Sequence, residues 1–292
     1  MLLASALGGC AAPAPIGPSA GEMAEAMARQ PIVILGEVHD NVAQHALRAA
    51  ALRVLVERGA RPAIAMEQLD GDRQQALLRA RENARGALDA RADALIQAAG
   101  ARGWQWKLYR PYLELALEYD LPIVAANLSR AQAMRVAQEG LAAVFDERQQ
   151  AELGIAEIPD DIEQAQEREI EEGHCGRVPR EALPAMAHAQ VARDAMLARS
   201  ILPYAERGVV LLTGNGHARR DIGVLRHLPE SARSHAITIG LLEDDAKAAE
   251  LAGAFDVVYR TAVQARPDPC TTIGPMPAMP ATAPVQDGAR AR

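Results

Sequence analysis

The stretch Ile32-Val33-Ile34-Leu35-Gly36-Glu37-Val38-His39-Asp40-Asn41 carries the reading of the fold. Four apolar residues, three of them β-branched, form a short run without polar alternation, as in a strand buried on both faces. A glycine then lets the backbone turn sharply, and a carboxylate and an imidazole follow within three residues. The pattern returns in Val209-Val210-Leu211-Leu212-Thr213-Gly214-Asn215-Gly216-His217. Two buried strands ending in Gly-x-x-His segments predict a parallel sheet with polar residues gathered at its carboxyl edge.

Working outward, apolar runs predict strands at 32–35, 63–66, 123–126, 209–213, 236–241 and 256–259. Helical periodicity predicts helices at 43–57, 72–84, 87–99, 112–119, 130–138 and 180–205. The alternation implies an α/β fold with a mostly parallel central sheet flanked by helices. The Glu/Gln-rich stretch 147–173, broken by Pro159-Asp160-Asp161, reads as helices with one polar face, within a helical insertion at about 146–205. The expected organisation is therefore a tether at 1–29, one domain at 30–265 and a Pro-rich, disordered tail at 266–292.

With 49% hydrophobic but only 3% aromatic residues, the core is expected to rest on Ala, Leu, Val and Ile. No run approaches the roughly 20 apolar residues of a bilayer crossing. The net charge is −7, from 38 acidic and 31 basic residues, and the basic ones are scattered, which argues against a nucleic-acid partner. Leu7-Gly8-Gly9-Cys10 has the small-residue pattern that precedes a lipid-bearing cysteine, and a Pro/Ala/Gly-rich tether follows. Lipidation at Cys10 would put the rest of the chain in an oxidising compartment, where Cys175 and Cys270 can pair.

In an open parallel sheet, ligands bind beyond the carboxyl ends of the strands. There the sequence places Glu37, His39, Asp40 and Asn41, then Glu67 and Gln68, then Asn127, then Asn215 and His217. Oxygen and nitrogen donors without thiolate suit a divalent transition metal; a hydrogen-bonded network that merely fixes the edge is the alternative. The turn before His217, with Arg219 and Arg220 after it, is also able to receive an anion. No nucleotide-binding glycine motif occurs. A second concentration is Trp104-Gln105-Trp106-Lys107-Leu108-Tyr109-Arg110-Pro111-Tyr112, which holds both tryptophans and two of five tyrosines. It reads either as a core plug or as a flat ligand platform.

Seven segments resemble the ChaN-type haem-binding lipoproteins of the Tiki superfamily over about residues 30 to 270. They are Ile34 to Asn41, Ala65 to Gln68, Tyr109-Arg110-Pro111, Val124 to Arg130, His174-Cys175-Gly176, Ala189-Gln190 with Arg193-Asp194, and Gly214 to Asp221. Gly223-Val224-Leu225 departs from the family's Gly-Val-Pro. The resemblance implies an iron-regulated, lipid-anchored protein on the periplasmic side of the bacterial outer membrane, binding haem as a homodimer in iron uptake. In that reading Tyr109 is the iron ligand, with Tyr112 or His174 in reserve and Arg110 for the propionates. Related hydrolases of the superfamily share the Gly-x-x-His segments. By that likeness Glu37, His39 and His217 hold a divalent metal, Glu67 activates water, and Asn41, Asn127, Arg193, Asp194, Asn215 and Arg219 support them. A third reading is a lipid-tethered assembly protein with a purely architectural edge.

Overall fold

The computed structural model describes residues 18–100 and 103–272. Cys10 and the tail beyond residue 272 lie outside them. Six strands form one parallel sheet in the order β3-β2-β4-β1-β5-β6: β1 Ile32–Leu35, β2 Ala63–Asp70, β3 Ile123–Asn127, β4 Val209–Leu212, β5 Ala236–Glu243 and β6 Val257–Thr261. The two runs that decided the fold are neighbours, with Ile32 opposite Val209 and Leu35 opposite Leu212. On the far side of β4, Met66 is also opposite Leu212. Gly36, Thr213 and Glu67 therefore leave the sheet in one row.

Odd and even strand positions feed separate helix layers, as the pleat requires. Val33, Leu35, Met66, Leu212 and Ile239 face α1 Ala20–Met27, α2 Val42–Glu57, α3 Gln74–Asn83, α4 Leu88–Ala99 and α5 Trp106–Glu118. Behind the sheet, α6 Arg130–Glu139, α7 Glu147–Glu152, α8 Asp160–Gly173 and α9 Leu183–Ile201 follow in the chain. Of these, α9 packs on the strands, where Leu197, Ala198 and Ile201 share a core with Ala63, Ala65, Val124 and Ala126. Short helical turns complete the chain: α10 Asn215–Ala218, α11 Glu230–Arg233, α12 Ala246–Leu251 and α13 Pro269–Thr272. Among the described residues, no helix is long and apolar enough to cross a membrane.

The helical stretch expected at about 146–205 thus divides: Phe145, Ile155 and Ile162 form a side core with Val191, Ala192 and Ala195 of α9, while Leu197, Ala198 and Ile201 of α9 join the main layer. α5 begins at Trp106, six residues before the predicted start, so Tyr109 and Tyr112 lie one turn apart on its buried face. The chain past β6 stays against the fold as far as α13, and a disulfide joins Cys270 to Cys175, with Cα atoms 5.6 Å apart.

Candidate functional site

Glu37 follows β1 and is 2% exposed. Its carboxylate is a hub: Oε1 accepts from the Tyr109 hydroxyl at 2.7 Å and from His39 Nδ1 at 3.0 Å, while Oε2 meets the Arg48 guanidinium and lies 3.3 Å from His45 Nε2. Arg48 is wholly buried and also donates to the Leu35 carbonyl at 2.9 Å. Such a pair offsets the cost of burying either charge alone. Because a carboxylate only accepts, His39 Nδ1 is the protonated nitrogen and Nε2 is left for the site.

Glu67 is held by the turn after β4. Its Oε2 accepts from the Thr213 hydroxyl at 2.7 Å and the Gly214 N–H at 2.8 Å. Its Oε1 faces two imidazoles, His217 Nε2 at 3.7 Å and His39 Nε2 at 3.9 Å. These separations exceed hydrogen-bond length and leave room for a bridging water. Burial opposes the charge on Glu67, but His217, His39 and the two donors hold its carboxyl below the ordinary value. His217 Nδ1 donates to Asp194 at 2.7 Å, and Gln166 Nε2 donates to the other Asp194 oxygen at 3.1 Å. Burial works against the imidazolium, yet Asp194 and Glu67 push His217 up to about 9.

The glycines that framed the sequence reading have steric jobs. A β-carbon on Gly214 would lie 2.9 Å from the His39 ring, and one on Gly36 would collide with Asn215 Oδ1. The Asn215 side chain extends the ladder, donating to the Leu241 carbonyl at 2.7 Å and accepting its N–H at 3.3 Å. Asn127 donates to the Glu67 carbonyl at 2.9 Å and accepts from Arg193 at 2.9 Å, so Arg193 steadies the irregular end of β2. Asn41 caps α2 and donates to Glu243 at 2.7 Å. Arg219 is occupied by Glu169 and Asp221.

Several expectations are corrected. Tyr109 and Tyr112 are wholly buried, and burial pushes both phenols above their ordinary values. The Tyr109 hydroxyl is engaged by Glu37, and that of Tyr112 donates to the His45 carbonyl at 3.2 Å. Arg110 points to α4, where it pairs with Asp93 and donates to the Asp89 carbonyl at 3.1 Å, so it does not serve the cleft. Glu37, His39 and His217 do not form a metal cage: Arg48 neutralises Glu37, and Asp194 takes one side of His217. Among the described residues, no group of three His, Cys, Asp or Glu side chains is disposed to hold a metal ion. His174 ends α8, with Nδ1 on the Ile170 carbonyl at 2.7 Å, and lines a small cavity of about 140 Å³ beside His217.

The open side of the site is a cleft of about 570 Å³, lined by Glu37, His39, Gly214, His217, Glu169, Glu243 and Arg266 among others. The His39 side chain is 45% exposed there, with Trp104 edge-on at 5.0 Å and Trp104 in turn edge-on to Tyr109 at 5.6 Å. Sequence reasoning missed Arg48, His45, Gln44, Glu243 and Arg266. The first three carried a signal: Gln44, His45 and Arg48 interrupt the apolar stripe that α2 continues through Leu52 and Val56.

A family described as "Haem-binding uptake, Tiki superfamily, ChaN" matches residues 23–228, well over half of the chain. The chain belongs to the ChaN family. A solved structure titled "Cofacial heme binding to ChaN of Campylobacter jejuni" is similar with a TM-score of 0.62 at 20% identity. That match covers 77% of this chain and 86% of the other, and it shows the ChaN fold. An erythromycin esterase in its open conformation is more distant, with a TM-score of 0.43 at 14% identity over 76% of this chain and 72% of that one. No curated protein matches.

Proposed function

We propose that this chain binds haem at the rim of the cleft formed by His39 and Trp104, with His39 presented to the iron. The observation that carries the reading is His39 itself. It is the imidazole of the site with a largely open side chain, its Nδ1 is fixed by a buried carboxylate, and an indole lies beside it. A carboxylate behind a ligating histidine fixes the tautomer and the orientation of the ring. Haem would supply the iron and a flat apolar surface; the chain supplies the aligned imidazole and the indole edge. Tyr109, behind His39 and hydrogen-bonded to the same Glu37 oxygen, is the second candidate ligand once freed from that bond. Leu7-Gly8-Gly9-Cys10 and the uptake role of the family support a lipid-anchored protein of the outer membrane that serves iron acquisition. The cofacial haems named for the Campylobacter jejuni structure support a homodimer.

Hemin titration tests the reading. Wild-type protein is expected to give a saturable Soret shift, His39→Ala to lose it, and Tyr109→Phe to keep it. A shift lost only in Tyr109→Phe would transfer the iron to Tyr109, and no shift in wild type would reject haem binding. The hydrolase alternative fits the site less well. A general base works best with a pKa near the working pH, whereas His217 stays protonated up to about 9 and Glu67 is held low.

A further inference from the structure

After β6 the chain does not leave the molecule but crosses the mouth of the cleft. Gln264 N–H donates to Glu243 Oε1 at 3.1 Å, and its side-chain amide donates to the Asp40 carbonyl. Arg266 then clamps two carboxylates, with Nε and a terminal nitrogen each 2.9 Å from Asp40 and two bonds of 2.8 and 2.6 Å to Glu243. Four residues on, Cys270 is bonded to Cys175, and the Cys270 carbonyl accepts from Arg177 at 2.7 Å. Cys175 lies just past α8, whose Glu169 and Gly173 line the cleft that Arg266 also lines. Two walls contributed by distant parts of the sequence are thus joined by one covalent bond.

The ground on the α8 side is a short turn with glycine on either side of His174 and Cys175. Cys175 has φ of 59°, in the left-handed region, and sits between His174 and Gly176. That left-handed turn closes α8, with the Cys175 and Gly176 N–H groups donating to the Glu172 and Glu171 carbonyls at 3.0 and 2.8 Å. Both cysteines are only half-buried, so a reductant can reach them. We propose that the Cys175–Cys270 disulfide is a redox latch on the cleft. A dithiol donor passes two electrons and two protons to the S–S bond, leaving two thiols on this chain and a disulfide on the donor. The end of α8 and residues 267–272 then separate, pivoting on Gly176 and on the Arg266 clamp, and the cleft widens. Applied to haem, the latch sets how fast the ligand leaves; that consequence rests on the haem reading, whereas the opening does not.

The test compares full-length oxidised protein with protein reduced and capped by iodoacetamide, and with a Cys175→Ser/Cys270→Ser double variant. Hydrogen exchange is followed in 169–177 and 262–272, and hemin release is followed by transfer to an excess of scavenger protein. The expected result is faster exchange in both segments with β4 unchanged, and hemin release about tenfold faster, because a change within one binding site acts mostly on the off-rate. Unchanged exchange in those segments, faster exchange throughout the chain, or an unchanged release rate would each overturn the latch. If neither form binds hemin, the haem reading fails and the exchange data alone decide the latch.

Discussion

Glu37 lies one position past the row that holds Glu67, and their neighbours give them different work. Glu37 is tied to Arg48, His45, Tyr109 and His39 and acts as a fixed anchor. Glu67 has one oxygen fixed by the turn after β4 and the other turned toward His39 and His217. The carboxylates and imidazoles were legible because each follows a recognisable strand. Arg48 was not, because a buried arginine on a helix stripe gains its meaning only when its carboxylate partner, eleven residues earlier, folds against it. His217 yields a prediction at this scale. Its folded pKa, pushed up to about 9 from an ordinary 6.5, means that the folded state holds a proton the unfolded chain releases. That contribution to stability is complete below pH 6.5 and is lost as pH rises through about 9. Urea midpoints measured from pH 6 to 10 should fall across that window, and Asp194→Asn should flatten the slope; a midpoint that rises with pH would contradict the assignment.

The strands were legible as apolar runs, but β2 and β5 extend further than those runs. Glu67, Gln68 and Glu243 are buried polar residues at the carboxyl edge, and hydrophobic patterning has no term for them. The start of α5 was hidden for a related reason: Pro111 within an aromatic segment reads as a break, although the backbone carries it inside a helix. At the outer edge of the sheet, β3 is protected by one side chain. Gln74 Nε2 donates to the Ile123 carbonyl at 3.1 Å, and its Oε1 accepts from the Ala125 N–H at 2.6 Å, so the side-chain amide replaces a neighbouring strand. Exposed strand edges invite pairing with other chains. Gln74→Ala is expected to cost about 1–2 kcal/mol and to raise aggregation on mild heating. Light scattering and denaturant titration check this, and an unchanged variant would show that the edge needs no such cap.

Across the whole molecule, a covalent and ionic belt surrounds the open end of the sheet. It runs from Asn41 and Asp40 through Glu243 and Arg266 to Cys270 and Cys175. The sequence offered the Cys175–Cys270 pair and placed Asp40 and Asn41 at the edge, but not the Arg266 clamp, because the segment from Arg266 has the composition of a tail and is ordered by contacts 23 to 226 residues away along the chain. The ChaN family and its fold were legible, since both rest on the strand ends; the aromatic segment read equally as a core plug or a ligand platform, and the turn of Arg110 toward α4 was not legible, since it depends on the rotation of α5 about its axis. The claim that haem is held at the His39 rim is a claim about place. Hydrogen exchange of the oxidised protein with and without one equivalent of hemin addresses it most directly. The account predicts slower exchange confined to the loop after β1, the turn from Gly103 into α5 and the crossing segment through Arg266; slower exchange elsewhere, with these three unchanged, would contradict it.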